Sequence, residues 1–553
     1  MLNLNTFFKV RQKSLYRSII SGSKNMSEAD YRELNKVRKK LLNLNLKIPK
    51  LNFLNFFVKH KYLNEITSQK LKEIFYKDIS LFPVYGHEII KSHANLKYKR
   101  SLKLSCPKIF LKLLEENNFK VNYFYSLLLW YLQILVNFCR GIFLSIKILI
   151  LNTLKFNKKN YKDFVFFEYQ MSNEGLSKLK NQSQFFFLNK IINYFSIKNS
   201  KILFNKSFTF NLNNEEKLYK ADTNLILTKH THLPYFDNII QLSYFFLWLI
   251  FTSFFVIFLF LIGKWSYCLI FEEIVEEKVH RITSYRYVPR LHFKHYEGNL
   301  SKPLWIYYAE EKKMRSYMFF YSTNDNGYPT KMNIPEDETN KKQFIWKNYL
   351  VWNSYQAKKI SNLNNNIQDI HILGPMLLHT QLSEKKYHLQ NKNCVSIFDI
   401  TPKRKILECM HGYYSIINSE IMKQFIIDIV DISEKYNIQI LHKPKRDLDK
   451  LYKGKHLYTG NKSFNNFIRE MNNKKYFKTI PAESDIDDLL RSSLATISFP
   501  FTSVALISKE LQKESIFYDP TSKLIKDKFF DQNIELISGK QELDIWFSKI
   551  SKN

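Results

Sequence analysis

The sequence predicts an α/β protein made of two Rossmann-like domains with parallel sheets, extended by a helical N-terminal arm and by inserted apolar helices. The first observation behind this fold class is that short apolar runs of β type alternate with longer helical runs along most of the chain. The second is length, because 553 residues allow two or three domains with separate cores. The third is composition: 45% apolar and 16% aromatic residues are typical of folded chains.

Three segments follow from the pattern. Residues 1–115 are rich in lysine and helical in periodicity, and they are expected to form a basic arm. Residues 116–375 are expected to form an N-terminal α/β domain, and residues 376–553 a C-terminal Rossmann-like domain. The stretch ILGP at 372–375 reads as a linker. Strands are predicted at 163–169, 201–204, 224–228, 315–322 and 349–352 in the first domain, and at 395–399, 438–441, 495–499 and 515–518 in the second.

Two apolar stretches lie within the N-terminal domain. Residues 242–263 carry no charge and, at about 1.5 Å per residue, are long enough to cross a hydrocarbon core. Residues 121–151 are interrupted by Arg140 and Lys147, which is more typical of an interfacial helix. Predicted strands lie on both sides of 242–263, and strands separated by a bilayer cannot share a sheet. We therefore expect in-plane or membrane-embedded helices inserted into one domain, with all folded parts on one side.

The formal net charge of +34 comes from lysines spread along the whole chain rather than from one basic segment. Lys, Asn, Ile, Phe and Tyr are abundant together, as A- and T-rich codons would make them, so nucleic acid is not an expected partner. The charge still favours anions such as acidic lipid headgroups, phosphates and nucleotides. Five cysteines without metal-ligand spacing favour reduced thiols in a cytoplasmic compartment.

The ends of three predicted strands in the C-terminal domain carry polar side chains. Ligands of open parallel sheets bind outside the carboxyl ends of the strands, so these residues are expected to form a nucleotide site. The helix after the third strand would hold a phosphate at its N-terminus, next to Lys443 and Arg446. Glu510 lies about two turns further along that helix and could accept hydrogen bonds from a ribose. The predicted nucleotide-binding residues are Asp399, Thr401, His442, Lys443, Arg446, Pro500, Thr502, Ser503 and Glu510.

Ordinary structural roles remain open for these residues. Ser503 is suited to capping the helix. Residues 443–446 could form a solvated loop, and Glu510 could be a surface acid.

Catalytic and metal-binding candidates are weaker. His230 and His232 follow the strand at 224–228 and could supply a general base, as could Glu168 at the end of the first strand, although ordinary loop positions suit all three. Two Asp-x-Asp pairs are not expected to bind metal. The pair Asp485 and Asp487 opens a helix and fits a capping box with Ser484, and the pair Asp447 and Asp449 lies in a charged loop.

The stretch ISFPFTS followed by a helix, with HKPKR on the preceding strand, resembles the polysaccharide biosynthesis PFTS-motif proteins and, more distantly, GT-B-type glycosyltransferases. The resemblance covers chiefly residues 370–545. It implies two GT-B-type domains, a bacterial role in capsule or lipopolysaccharide biosynthesis at the cytoplasmic face of the inner membrane, and no need for a metal or other cofactor beyond the nucleotide-sugar donor.

The expected function is transfer of a sugar from a nucleotide-activated donor to a lipid-linked or growing surface polysaccharide, with residues 116–375 on the acceptor side and the protein held on an anionic membrane surface. Two alternatives remain open. One is polyol-phosphate transfer of the teichoic-acid type, which uses similar nucleotides. The other is a non-catalytic membrane adaptor of a glycan assembly complex.

Overall fold

The computed structural model describes the two sheets, most of the helices that cover them and parts of the connecting loops. The described residues are 66–67, 105, 107–116, 121–154, 165–168, 190–191, 193–197, 202–205, 225–228, 235–283, 288–295, 302–320, 322–323, 345–362, 366–375, 393–400, 402, 417–445, 461–482, 484, 486–500, 502–527 and 532–552. Most of the predicted basic arm therefore lies outside the described residues.

The described chain contains thirteen strands and twelve helices with defined bounds. The strands are β1 (Val165–Glu168), β2 (Ile202–Asn205), β3 (Leu225–Thr228), β4 (Leu291–His295), β5 (Arg315–Phe319), β6 (Asn348–Val351), β7 (Asp369–Ile372), β8 (Cys394–Phe398), β9 (Gln439–Lys443), β10 (Phe477–Thr479), β11 (Ala495–Ser498), β12 (Glu514–Asp519) and β13 (Glu535–Ser538). The helices are α1 (Lys108–Glu116), α2 (Tyr123–Leu154), α3 (Ile239–Leu261), α4 (Ser266–Leu269), α5 (Phe271–Ile282), α6 (Leu304–Glu311), α7 (Ser354–Ser361), α8 (Ser419–Lys435), α9 (Lys462–Met471), α10 (Ile486–Ser492), α11 (Ser503–Glu510) and α12 (Gly539–Ile550).

Two parallel sheets confirm the predicted α/β class. The first sheet has the order β3-β2-β1-β4-β5-β6-β7, and the second has the order β10-β9-β8-β11-β12-β13. Every strand pair is parallel. In both sheets the strand order reverses beside the first strand of the set, between β1 and β4 and between β8 and β11, as in doubly wound Rossmann folds. The change of sheet lies between Ile372 and Cys394, where the predicted domain boundary also falls.

Four strands were not predicted. Strands were predicted from short apolar runs in the sequence, and none of these four is such a run. β4 reads LHFKH and alternates apolar residues with His and Lys. β7 reads DIHI and is partly exposed, β10 has only three residues, and β13 is bounded by Glu535 and Ser538. The linker interpretation of 372–375 was wrong at its first residue, because Ile372 ends β7.

Each face of the second sheet is covered by helices. Val395, Ile440 and Ile497 pack with α8, α9 and α12 in one core cluster. Phe398, Leu441 and Phe517 belong to another cluster, which also contains residues of α10 and α11 and side chains of the first sheet such as Phe293 and Tyr317. The buried apolar side chains of this second cluster therefore come from both sheets.

The two apolar stretches form α2 and α3, both long and apolar enough to cross a membrane by length and composition. Their buried sides join a core with α4 and α5, to which Ile66 of the N-terminal region also contributes. β3 precedes α3 and β4 follows it, and both strands belong to the first sheet. The strands on the two sides of α3 therefore share one sheet, as the sequence predicted.

Candidate functional site

The candidate site lies where the order of the second sheet reverses. β8 and β11 are adjacent and in register, with Phe398 opposite Ser498. Their chains diverge immediately afterwards, β8 into Asp399 and β11 into the Pro-Phe-Thr-Ser turn. A doubly wound sheet opens a crevice at this point, outside the carboxyl ends of its strands.

The carboxyl ends of the two sheets meet across the same region. The backbone N–H of Thr323, four residues after β5, donates a hydrogen bond to Ser503 Oγ at 3.3 Å. Asn353, which begins α7 just after β6, donates from Nδ2 to Gln532 Oε1 at 2.6 Å. Gln532 lies in the loop between β12 and β13. A ligand at the end of β11 would therefore be close to both sheets.

The Pro-Phe-Thr-Ser turn connects β11 to α11. Phe499 and Pro500 are buried, and the backbone N–H of Phe499 continues the ladder by donating to the Phe398 carbonyl at 2.8 Å. Thr502 is the N-cap residue with an extended backbone, but its side chain makes no capping hydrogen bond. Ser503, expected as a possible cap, is instead the first helical residue. The first turn of α11 is thus left without a side-chain cap.

Buried polar atoms accumulate around this turn. Within the part of the chain that the structure describes, four have no hydrogen-bond partner: Thr502 Oγ1, Ser498 Oγ, Asp399 Oδ1 and Thr323 Oγ1. Ser498, Asp399 and Thr323 are at most 4% exposed. Buried polar groups are ordinarily satisfied, so a cluster of unsatisfied ones at strand ends is a feature of sites that bind a polar ligand.

Asp399 and His442 are brought together as an internal pair. His442 Nε2 lies 3.2 Å from Asp399 Oδ2, and His442 Nδ1 lies 3.4 Å from Thr479 Oγ1. Both the His442 and the Asp399 side chain are fully shielded from solvent. This chain of contacts joins the ends of three neighbouring strands and engages Asp399 Oδ2, while Asp399 Oδ1 has no partner in the described chain. His442 is thus engaged with Asp399 and Thr479, and its role in nucleotide binding stays a prediction.

Two basic residues, Lys443 at the end of β9 and Arg446 after it, were predicted to bind the nucleotide, and these roles stay predictions. Lys443 is buried and its Nζ donates to the Ala482 carbonyl at 2.6 Å, which holds the loop after β10. Thr401 and Arg446 lie outside the described residues. Ser484 was expected to begin a capping box, but its hydroxyl has no partner in the described chain, so that expectation was wrong.

Glu510 ends α11 and faces the first domain. A Cβ built on Gly374 would lie 3.5 Å from Glu510 Oε1 and 3.0 Å from Lys190 Nζ, and Gly374 itself has a φ of +76° that favours glycine. Lys190 donates to the Pro375 carbonyl at 3.2 Å. Burial lowers the pKa of Lys190, while Glu510 raises it. The carboxylate expected to bind a ribose is therefore next to a cation at the junction of the two sheets.

The first sheet contributes a second reversal point, between β1 and β4. Glu168 ends β1 in register with Lys294, so its backbone is at this carboxyl edge. His230 and His232 lie outside the described residues. His295, which sequence reasoning missed together with β4, ends that strand; it is 6% exposed and its ring lies 5.1 Å from that of Phe319.

Metal-ligating side chains do not cluster in the described residues: no group of three or more His, Cys, Asp or Glu could hold an ion there. Asp447, Asp449 and Asp485 lie outside those residues. Asp487 is in the first turn of α10.

Solved structures with similar folds include nucleotide-sugar enzymes. UDP-GlcNAc 2-epimerase from Methanocaldococcus jannaschii, in complex with UDP-GlcNAc and UDP, is 13% identical with a TM-score of 0.38, and the match covers 70% of this chain and 93% of that one. A glycosyltransferase from Rickettsia africae is 12% identical with a TM-score of 0.36, covering 71% and 90%. Anabaena HepE, in complex with UDP and glucose, is 8% identical with a TM-score of 0.34, covering 70% and 89%.

These structural similarities are low, so the fold assignment rests on the strand orders and the facing carboxyl ends, which together form a GT-B-like fold. No curated protein matches the chain. The family model for polysaccharide biosynthesis PFTS motif proteins matches residues 251–547, more than half of the chain and including the turn at 500–503. The chain belongs to the polysaccharide biosynthesis PFTS motif protein family.

Proposed function

We propose that this protein is a glycosyltransferase that takes a sugar from a nucleotide-activated donor and adds it to a surface polysaccharide or its lipid-linked precursor. The observation that carries the proposal is the set of unpartnered polar atoms at the end of β11 and β8, beside the uncapped start of α11. Membership of a polysaccharide biosynthesis family and the GT-B-like fold also support the proposal.

The donor phosphates fit the start of α11. Backbone N–H groups of a first helical turn and the helix dipole attract an anion, and the Thr502 hydroxyl can donate a further hydrogen bond to a phosphate oxygen. Asp399 cannot bind phosphate, because its carboxylate would repel it. Its unpartnered Oδ1 instead suits a hydroxyl or amide donor of the sugar or nucleoside.

The acceptor would approach from the first sheet. Transfer requires a base that removes the proton of the acceptor hydroxyl while the bond from the sugar to the donor phosphate breaks. Glu168 and His295 end the two strands at the reversal point of the first sheet, and His230 and His232 follow β3 in sequence. The departing nucleotide phosphate keeps the bonding electron pair, and its negative charge is stabilised by the helix dipole of α11.

A thermal-shift panel of UDP, GDP, CMP and CDP compounds tests the proposal. One nucleotide class should stabilise the full chain, by about 2.7 kcal/mol when its concentration is a hundredfold above Kd. If a CDP-polyol were the only compound that stabilised the protein, this result would favour polyol-phosphate transfer over sugar transfer. Absence of stabilisation by every nucleotide would contradict catalysis at this cleft and favour the adaptor alternative.

A further inference from the structure

α2 and α3 each bury one side and expose an apolar side along their whole length. On α3, Phe251 is 70% and Phe254 is 72% exposed, while Phe245 and Val256 on the opposite side are buried. On α2, Leu128 and Ile150 are exposed, as is Cys139 between them. Soluble surfaces rarely leave contiguous apolar patches of this size uncovered.

The two helices lie side by side. Near one end, Asn152 of α2 accepts a hydrogen bond from the Phe236 backbone N–H, just before α3, at 2.6 Å. Near the other end, the rings of Tyr131 and Phe260 lie 5.8 Å apart. The helices are therefore antiparallel neighbours, and we call their exposed sides the apolar surface. A helix of 23 residues such as α3 is about 35 Å long.

The chain reverses direction after α3 and runs back along it. Gly263, at a φ of +82°, donates to Phe260, and Lys264 donates to Leu259, which is a Schellman turn. α5 then packs on α2 through rings of Phe138 and Phe271 that lie 4.8 Å apart. Lys278 of α5 reaches the Tyr244 hydroxyl of α3 at 3.1 Å. α5 thus packs on α2 and reaches the first turns of α3 through Lys278.

This packing excludes a membrane-spanning position for α3. α5 carries seven ionisable side chains: Glu272, Glu273, Glu276, Glu277, Lys278, His280 and Arg281. If α3 crossed a bilayer, these side chains would enter the hydrocarbon with it, at high energetic cost. The returning segment of α4 and α5 covers residues 266–282, about 26 Å if continuous, which is shorter than a core of about 30 Å and includes all seven of these side chains. The pairing of β1 with β4 places both flanks of α3 on one side.

The charges beside the apolar surface identify what covers it. Neither α2 nor α3 contains an Asp or Glu, α3 has no charged residue, and the charged residues of α2 are Arg140 and Lys147. Arg140 and Lys147 are exposed and seven residues apart, which puts them on one stripe at roughly 90° from the centre of the exposed apolar side. Cations bordering an apolar face match anionic headgroups above an acyl layer.

We propose that α2 and α3 dock the protein on an anionic lipid bilayer while lying in the plane of the membrane, with the apolar surface in the acyl boundary and neither helix spanning. The proposal is independent of the reaction, and it holds whether or not a nucleotide binds in the cleft.

Vesicle flotation of the full chain tests the docking. The wild type should float with vesicles of phosphatidylcholine and phosphatidylglycerol, and more weakly with pure phosphatidylcholine. High salt should remove this difference without releasing the protein. The triple variant Phe251→Asp, Phe254→Asp, Phe258→Asp should lose vesicle binding by at least about tenfold. The matched control, Asn466→Asp, Asn473→Asp, Gln541→Asp, adds the same charge at exposed positions of the second domain and should float like the wild type.

A depth measurement on unaltered apolar faces separates in-plane from spanning helices. Leu128, Cys139 and Ile150 are 11 residues apart on one stripe of α2, so each can carry an environment-sensitive dye on a single cysteine. Spin-labelled lipids should quench all three dyes at one shallow depth. Deep quenching at 139 with shallow quenching at 128 and 150 would overturn the proposal, as would wild-type protein that ignores vesicles or a triple Asp variant that still floats.

Discussion

Asparagine precedes five of the described helices as the N-cap residue, and in each its side-chain oxygen accepts a hydrogen bond from the first turn: Asn122, Asn238, Asn353, Asn418 and Asn461. Thr502 occupies the same place at α11 without making that bond. A cap hydrogen bond typically contributes about 1 kcal/mol, and α11 lacks this contribution, as does α12 after its N-cap residue Ser538. A bound phosphate would accept hydrogen bonds both from the first-turn N–H groups that Thr502 does not cap and from the unpartnered Thr502 hydroxyl.

The residues of the turn at 500–503 could be predicted, because a strand, a proline and two hydroxyl residues before a helix are a local pattern. Thr323 could not, because its contact with Ser503 joins positions 180 residues apart. Lys443 illustrates a second difficulty. A lysine at a strand end is expected to face a ligand, but only the fold reveals that the Ala482 carbonyl competes for it. The roles of the site residues themselves stay predictions.

Glu277 gives the molecule a pH dependence that can be measured. Burial raises the pKa of this carboxyl to about 7, although Arg281, its ion-pair partner, acts in the opposite direction. Unfolding returns the pKa to about 4.5, so the folded chain holds an extra proton between these values. The contribution of Glu277 to the free energy of unfolding should therefore fall as pH rises from about 4.5 to about 7.

Glu277→Gln should remove this dependence. At low pH, where the carboxyl is neutral, the variant should unfold at the same thermal midpoint as the wild type. Above neutral pH its thermal midpoint should be higher, because its free energy of unfolding should be greater by up to about 3 kcal/mol. The exposed Glu535→Gln serves as the control and should follow the wild type throughout. A Glu277→Gln profile parallel to that of the wild type would contradict the burial argument.

At the scale of elements, strands that are apolar runs were predicted, and strands with polar ends were not. Nine strands fall within or close to their predicted ranges: β1, β2, β3, β5, β6, β8, β9, β11 and β12. β4 was missed because His292, Lys294 and His295 break its apolar pattern, yet it is a central strand of the first sheet. Burial of His292 against the rings of Phe166 and Trp346 is a tertiary effect that no local pattern contains.

The close approach of α2 and α5 depends on Gly141. A Cβ at this position would lie 2.5 Å from Phe271 Cδ1 and 3.0 Å from the Glu272 backbone nitrogen. Gly→Ala inside a helix ordinarily stabilises by about 1 kcal/mol, but here the backbone contact cannot move aside easily. Gly141→Ala should therefore destabilise the detergent-solubilised protein by about 1–2 kcal/mol in thermal unfolding. Cys139→Ala, on the exposed side of the same helix, should have little effect. Stabilisation by Gly141→Ala would show that the helices are further apart.

At the scale of the whole molecule, two sheets of the same winding order face each other through their carboxyl ends. The sequence could predict two parallel α/β units, because strand and helix runs alternate in both halves. It could not predict which strand ends meet, since this depends on contacts such as Asn353 with Gln532, 179 residues apart. It did predict that the strands flanking α3 share a sheet, from the physical rule that a bilayer cannot divide one.

Calorimetric titration of the stabilising nucleotide into wild type and Thr502→Val tests the central claim, a donor phosphate at the start of α11. Valine keeps the shape of threonine and removes only the hydroxyl, which makes no hydrogen bond in the described chain. Ser503→Ala is less informative, because it also removes the acceptor for the Thr323 N–H. Thr153→Val, on α2, is the matched control.

We predict an unchanged thermal midpoint for Thr502→Val and nucleotide binding weakened by about tenfold, as expected for one hydrogen bond to a charged group. Equal nucleotide affinity in wild type, Thr502→Val and Thr153→Val would contradict the account.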